Sequence, residues 1–236
     1  MALDVYVGSL ARYYAGDWEN VGERSARERG APPEAMRPRA PGERVQDIER
    51  IRPAVLAWRT TLGNSLAPNP VGPLDWDEAP DAPHFTGRPG WDGFGSLVLW
   101  AAYAEHPALR RPASLPEEWD DDPALMQSNA EGFRSRYSHL VRNVELWLPS
   151  AFAFTFEGED VDGRRIVVGS ATTLRGQLAD LNAATWKVAD DEAAGWGRHP
   201  PSGEMPLEPR ARYAFAVLAD LAQKAVDHRL PMKLDY

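Results

Sequence analysis

Between Val144 and Lys187 the hydrophobic period of the chain switches from helical to strand-like and back, and this switch constrains the fold more than any other stretch. Ala151 to Glu157 is β-favouring, with Phe152, Phe154 and Phe156 on one face of a strand and Thr155 on the other. The acidic EGEDVDG segment follows, and Arg164 to Val168 reads as a returning strand, so 151–168 is expected to form a hairpin with a solvated tip. Gly169 and Ser170 then break the strand pattern. A serine hydroxyl there can accept from a free amide of a first helical turn, and Leu174, Leu178 and Leu181 recur at helical spacing after it. The aromatic face of the hairpin and the leucine stripe of the helix must both find cover.

That cover comes from the rest of the chain. Leu3, Val5 and Val7 alternate with Asp4 and Tyr6, and Met232, Leu234 and Tyr236 alternate at the other end, so terminal strands can join the hairpin. Arg210 to His228 is apolar on almost every side, as in a helix surrounded by core. Asp17 to Arg29 reads as a charged surface helix started by Asp17 and stopped by Gly30. Glu43 to Leu62 carries Val45, Ile48, Val55 and Leu62 on one stripe, with a break or restart expected at Pro53, which lacks an amide. Phe94 to Glu105 is a further helix. Asp122 and Pro123 form an N-cap and first-turn pair, opening a helix that Pro149 must end, although Val144, Leu146 and Leu148 also alternate as in a short strand. Stretches 31–41, 67–93, 110–122 and 189–209 are dense in proline, glycine and acid and read as irregular. The expectation is an α+β fold, a predominantly helical single domain over residues 1–236 with a small antiparallel sheet.

The 236 residues suffice for a sizeable core. The formal net charge of −9 repels nucleic acid and anionic membrane and attracts a basic protein. The absence of cysteine excludes disulfides, thiolate catalysis and cysteine-based metal sites. No apolar run approaches the roughly 18 residues of a membrane span. The start, MALDVYVGSLARYYAG, has no basic leader or long apolar stretch, so no signal peptide is expected and the expected compartment is the cytoplasm.

No catalytic motif stands out. His84, His106, His139, His199 and His228 show no HExxH, HxH or HxxxH spacing, and GWDGFGSL (90–97) matches neither phosphate-binding nor dinucleotide fingerprints. There is no GxSxG elbow. Glu157, Glu159, Asp160 and Asp162 lack the distal glutamate of a calcium loop, so no metal or cofactor is expected. Tryptophans in polar loops beside carboxylates remain as candidates: Trp76, Asp77, His84, Trp91 and Asp92 in one loop, and Glu117, Glu118, Trp119, Asp120 and Asp121 in another. Besides a purely structural subunit, which would form a stable homo-oligomer with buried tryptophans, two functions follow from them. One is a non-catalytic binding protein that meets a basic partner through the acidic face. The other is a hydrolase or small-ligand enzyme with Asp75, Asp77, Asp92 or His84 as acid–base groups under the 67–93 loop.

The segments MALDVYVGSLARYYAGDWEN, VGSATTLRGQLADLNAATW and VDHRLPMKLDY resemble uncharacterised bacterial proteins, loosely associated with immunity to secreted toxins. The resemblance implies an inhibitor-type role and carries no catalytic residues.

Overall fold

Both ends of the chain run into the middle of one sheet. In the computed structural model, which describes residues 3–30, 46–203 and 205–236, β1 (Asp4–Val7) lies antiparallel between β2 (Phe85–Gly87) and β6 (Met232–Asp235). Strand β6 pairs antiparallel with β3 (Val144–Leu148), β3 runs parallel to β5 (Arg165–Ser170), and β4 (Phe156–Glu159) closes the far edge. Among the described residues the order β2-β1-β6-β3-β5-β4 is an open mixed sheet of six strands, larger than the antiparallel one expected and including a parallel pair.

Helices cover both faces. On one side α4 (Trp91–Glu105), α7 (Ala171–Ala184) and α9 (Leu207–Asp227) pack over Val5, Val7, Trp147, Met232 and Leu234. On the other, α1 (Leu10–Ala15) and α3 (Ile48–Leu66) cover Leu146, Leu148, Ile166 and Val168. The charged α2 (Val21–Glu28) reaches the β2 edge, where Arg24 donates to the Thr86 carbonyl at 3.0 Å. Its cap is Asn20, which forms a reciprocal pair with Glu23, rather than Asp17.

Three expectations need correction. The helix expected from Pro123 to Pro149 is instead short α5 (Pro123–Ser128), one-turn α6 (Ser138–Val141) and strand β3. A shift in register between Val144 and Leu146 turns Val144 towards the α4 side and Leu146 towards the α3 side, so these two residues do not share a face. The hairpin is shorter than 151–168: residues 151–155 form a loop, and β5 runs on through Gly169 to Ser170, where Gly169 lets His139, Val144 and Trp147 approach within 2.8–3.1 Å of the place a Cβ would occupy. Helix α3 passes unbroken through Pro53, which is exposed in its second turn and lacks the amide that would bond the Glu49 carbonyl.

Other readings hold. Ser170 caps α7 by accepting from Thr173 N at 3.1 Å, Asp122 caps α5 by accepting from Ala124 N at 2.8 Å, and Leu174, Leu178 and Leu181 are buried. The loop stretches contain short helical pieces, at Trp119–Asp121, at α8 (Asp190–Gly195) and at Trp196–Arg198. The expected 31–41 loop and residues 43–45 of the expected helix lie outside the described residues.

Candidate functional sites: an acidic turn and a buried lysine

The sequence candidates of the 67–93 region do not converge. Trp76 is buried and its indole N–H donates to Glu78, whose carboxylate also accepts from Leu10 N at 3.1 Å and Ala11 N at 2.8 Å, capping α1. Desolvation raises the Glu78 pKa and those amides oppose the shift. Asp77 is exposed and accepts from Ala79 N at 2.8 Å. Asp75 pairs with Arg229, and Asp92 with Arg210 at 2.7 Å. Trp91 lies edge-on to Tyr236, with ring centroids 5.1 Å apart. His84 is half-buried beside Arg12, 3.4 Å away, and burial followed by that guanidinium lowers its pKa. These groups hold loops and caps in place, each with its own partner. Trp18 is also buried, and Trp119 and Trp196 pack partly against the core, so the loop tryptophans are mainly core covers.

The second cluster is arranged differently. Trp119 lies flat against α4 at Gly95, where an added Cβ would stand 2.7 Å from the indole ring. One tight turn, with Asp121 N donating to Glu118 O and Asp122 N to Trp119 O at 3.2 Å, joins that anchor to the cap of α5, and Asp122 further accepts from the Tyr103 hydroxyl at 3.1 Å. Glu117, Glu118, Asp120 and Asp121 project from this fixed turn into solvent. Among the described residues none of the four forms an ion pair, whereas Asp92, Glu208 and Asp220 each sit 2.5–2.7 Å from an arginine or lysine. Met126, 60% exposed, follows on α5. Sequence reading passed over it; its place four residues after the Asp122 cap, beside buried Leu125, was the available signal.

A third cluster went unread because five segments build it. Lys233 on β6 is 2% exposed and lies across from Tyr6 and Leu146, on the α1 side of the sheet. Its Nζ donates to Asp160 Oδ2 at 3.4 Å and sits over the rings of Tyr13 and Tyr14. Asp160 belongs to the hairpin tip expected to be solvated, yet it is 5% exposed. Its other oxygen accepts from Asp162 N at 3.1 Å and Arg164 N at 2.9 Å, so the turn itself aims the carboxylate inwards. Arg164 is drawn to Glu145 at 2.9 Å, and Tyr13 donates to Asp235 at 2.9 Å. Burial lowers the Lys233 pKa, with Asp160 pulling the other way, and burial raises those of Tyr13 and Tyr14.

His139 is fully buried at the carboxyl end of the parallel pair. Its Nδ1 accepts from Ser170 N at 2.8 Å, so the neutral ring carries its proton on Nε2, and burial pushes its pKa down to about 4. The Ser170 hydroxyl donates instead to Ser150 O at 2.8 Å, so serine and histidine form no nucleophile–base pair. Thr172 and Thr173 likewise donate to Pro149 O and Phe152 O, which ties the 149–155 loop to the first turn of α7.

Among the described residues no group of three or more His, Asp or Glu side chains is placed to hold a metal, and no helix is long and apolar enough to cross a membrane. Compared with protein-family models, curated proteins and solved structures, the chain matches none.

Proposed function

We propose that the chain is a non-catalytic binding protein, of the immunity or inhibitor type, that meets a basic protein through the turn Glu117–Asp121. One observation carries the reading: four unneutralised carboxylates are held on a rigid, tryptophan-pinned turn next to an exposed methionine. Unpaired charge of one sign steers an oppositely charged partner, and the exposed, flexible apolar side chain that follows the turn on α5 can supply a desolvated contact. Because the turn is already ordered, binding loses little conformational entropy there. The alternative, acid–base chemistry under the 67–93 loop, is less well supported, since its carboxylates are directed to separate partners.

The test compares tagged wild-type chain with Glu117→Lys, Glu118→Lys, Asp120→Asn and Asp121→Asn combined, both recovered from lysate of the native host and checked for equal folding by circular dichroism. The expected result is a stoichiometric basic protein on the wild type, released by salt and absent from the variant. Met126→Ala should retain the same protein with faster dissociation, because losing an apolar contact acts chiefly on the off-rate. Recovery of the same proteins on both chains, or of no stoichiometric basic protein on either, contradicts the reading.

A further inference from the structure

The chain has three lysines against 23 arginines, and one of the three, Lys233, is buried on a central strand. Arginine would grip a buried carboxylate with more hydrogen bonds and keep its charge; lysine is the basic side chain that can shed a proton. The Lys233 amine has three hydrogen-bonding directions and uses one, at 3.4 Å, towards Asp160. Above it opens a depression of about 120 Å³ walled by Tyr13, Tyr14 and Tyr236. That is somewhat less than the roughly 150 Å³ of a cavity that takes benzene, so it suits a ligand smaller than an aromatic ring.

From this geometry we propose that Lys233 is a nucleophile that forms an imine with a small neutral aldehyde or ketone admitted to this depression. The proposal shares no residue with the acidic-turn reading and stands or falls separately. Neutrality follows from the charges around the depression. Arg164 is taken up by Glu145 at 2.9 Å and lies 3.7 Å from Asp160, while Asp160 and Asp162 both border the space, so an acidic ligand would meet carboxylates and no free cation. In the reaction the amine lone pair bonds to the carbonyl carbon. Asp160 Oδ2 takes a proton from the attacking nitrogen and passes it to the carbonyl oxygen. A second transfer of the same kind expels that oxygen as water, breaking the C–O bond and leaving C=N. Amine plus carbonyl gives imine plus water, with no oxidant or reductant. On taking up a proton from solvent the imine becomes an iminium, which withdraws electrons from the neighbouring carbon, the use of lysine in covalent catalysis. Tyr14, whose hydroxyl faces Asp160, is the positioning residue.

The full chain is treated at pH 7 with propionaldehyde and cyanoborohydride, and alkylation at Lys187, Lys224 and Lys233 is followed by peptide mass spectrometry. Ordinary lysines are almost wholly protonated at that pH, and a lowered pKa raises the share of free amine, so Lys233 should react faster than the other two. Benzaldehyde, too large for the depression, should show no such preference. Tyr14→Phe should slow Lys233 alone. Lys233 reacting no faster than Lys187 and Lys224, or benzaldehyde reaching it as fast as propionaldehyde, overturns the proposal.

Discussion

At the scale of single residues, the molecule places titratable groups where burial sets their behaviour. His139 is the clearest case, because its Nδ1 serves the Ser170 amide and its ring is enclosed by the sheet end. The unfolded chain takes up a proton on this histidine near pH 6.5, whereas the folded chain resists until about pH 4. Between these values the unfolded state binds more protons, so stability is fully present above about pH 6.5 and is lost as the pH falls through the window. The contribution amounts to roughly 2 kcal/mol by pH 5. Urea unfolding at pH 7.5 and pH 5 should therefore show a larger acid loss in the wild type than in His139→Gln, whose amide oxygen can still accept from Ser170; equal losses would refute the assignment. Little of this was legible beforehand. The sequence indicated a structural histidine among apolar neighbours, but its partner comes from a strand 31 residues away. Lys233 was harder still, since one residue in an alternating tail looks like any outward-facing position until α1 is laid over it.

At the scale of elements, local signals read well wherever one residue decides. Ser170, Asp122 with Pro123, and Gly30 each lie at the expected helix boundary, because a cap or stop is a chemical requirement of the adjoining turn. Val144–Leu148 was misread because its apolar spacing suits a helix and a strand equally, and the irregular register with β5 that resolves it is a property of two strands. Of the glycines in GWDGFG, Gly90 precedes α4 at a positive φ, and Gly93 and Gly95 are packing positions inside the helix. Gly95 accepts the Trp119 ring, and Gly93 brings α4 against Ala214 of α9. Gly95→Ala sets a helix-propensity gain of about 1 kcal/mol against an overpacking cost of about 1–3 kcal/mol. Net destabilisation is expected, with faster hydrogen exchange at the Asp121 and Asp122 amides while β1 and β6 amides keep their protection. Unchanged exchange in the turn would mean that Trp119 does not hold it.

At the scale of the whole molecule, the sheet joins the two ends of the chain to its central unit, with β6 between β1 and β3. Mixed α and β character, terminal strands and a core helix could be foreseen from periodicity; strand order and the parallel pair could not, because both depend on pairings between residues far apart in sequence. The same separation explains why the long loops were over-weighted as sites: side chains such as Asp75 and Asp92 find arginines more than 100 residues away. Among the described residues the acidic turn, followed by exposed Met126, carries four exposed carboxylates with no ion pair, on a chain of net charge −9. Native mass spectrometry of the chain drawn gently from its own host's lysate tests that account most directly. The expected spectrum shows a one-to-one complex with a basic protein that dissociates as ionic strength rises. A spectrum of the 26.2 kDa chain alone, or of a complex indifferent to salt, would contradict it.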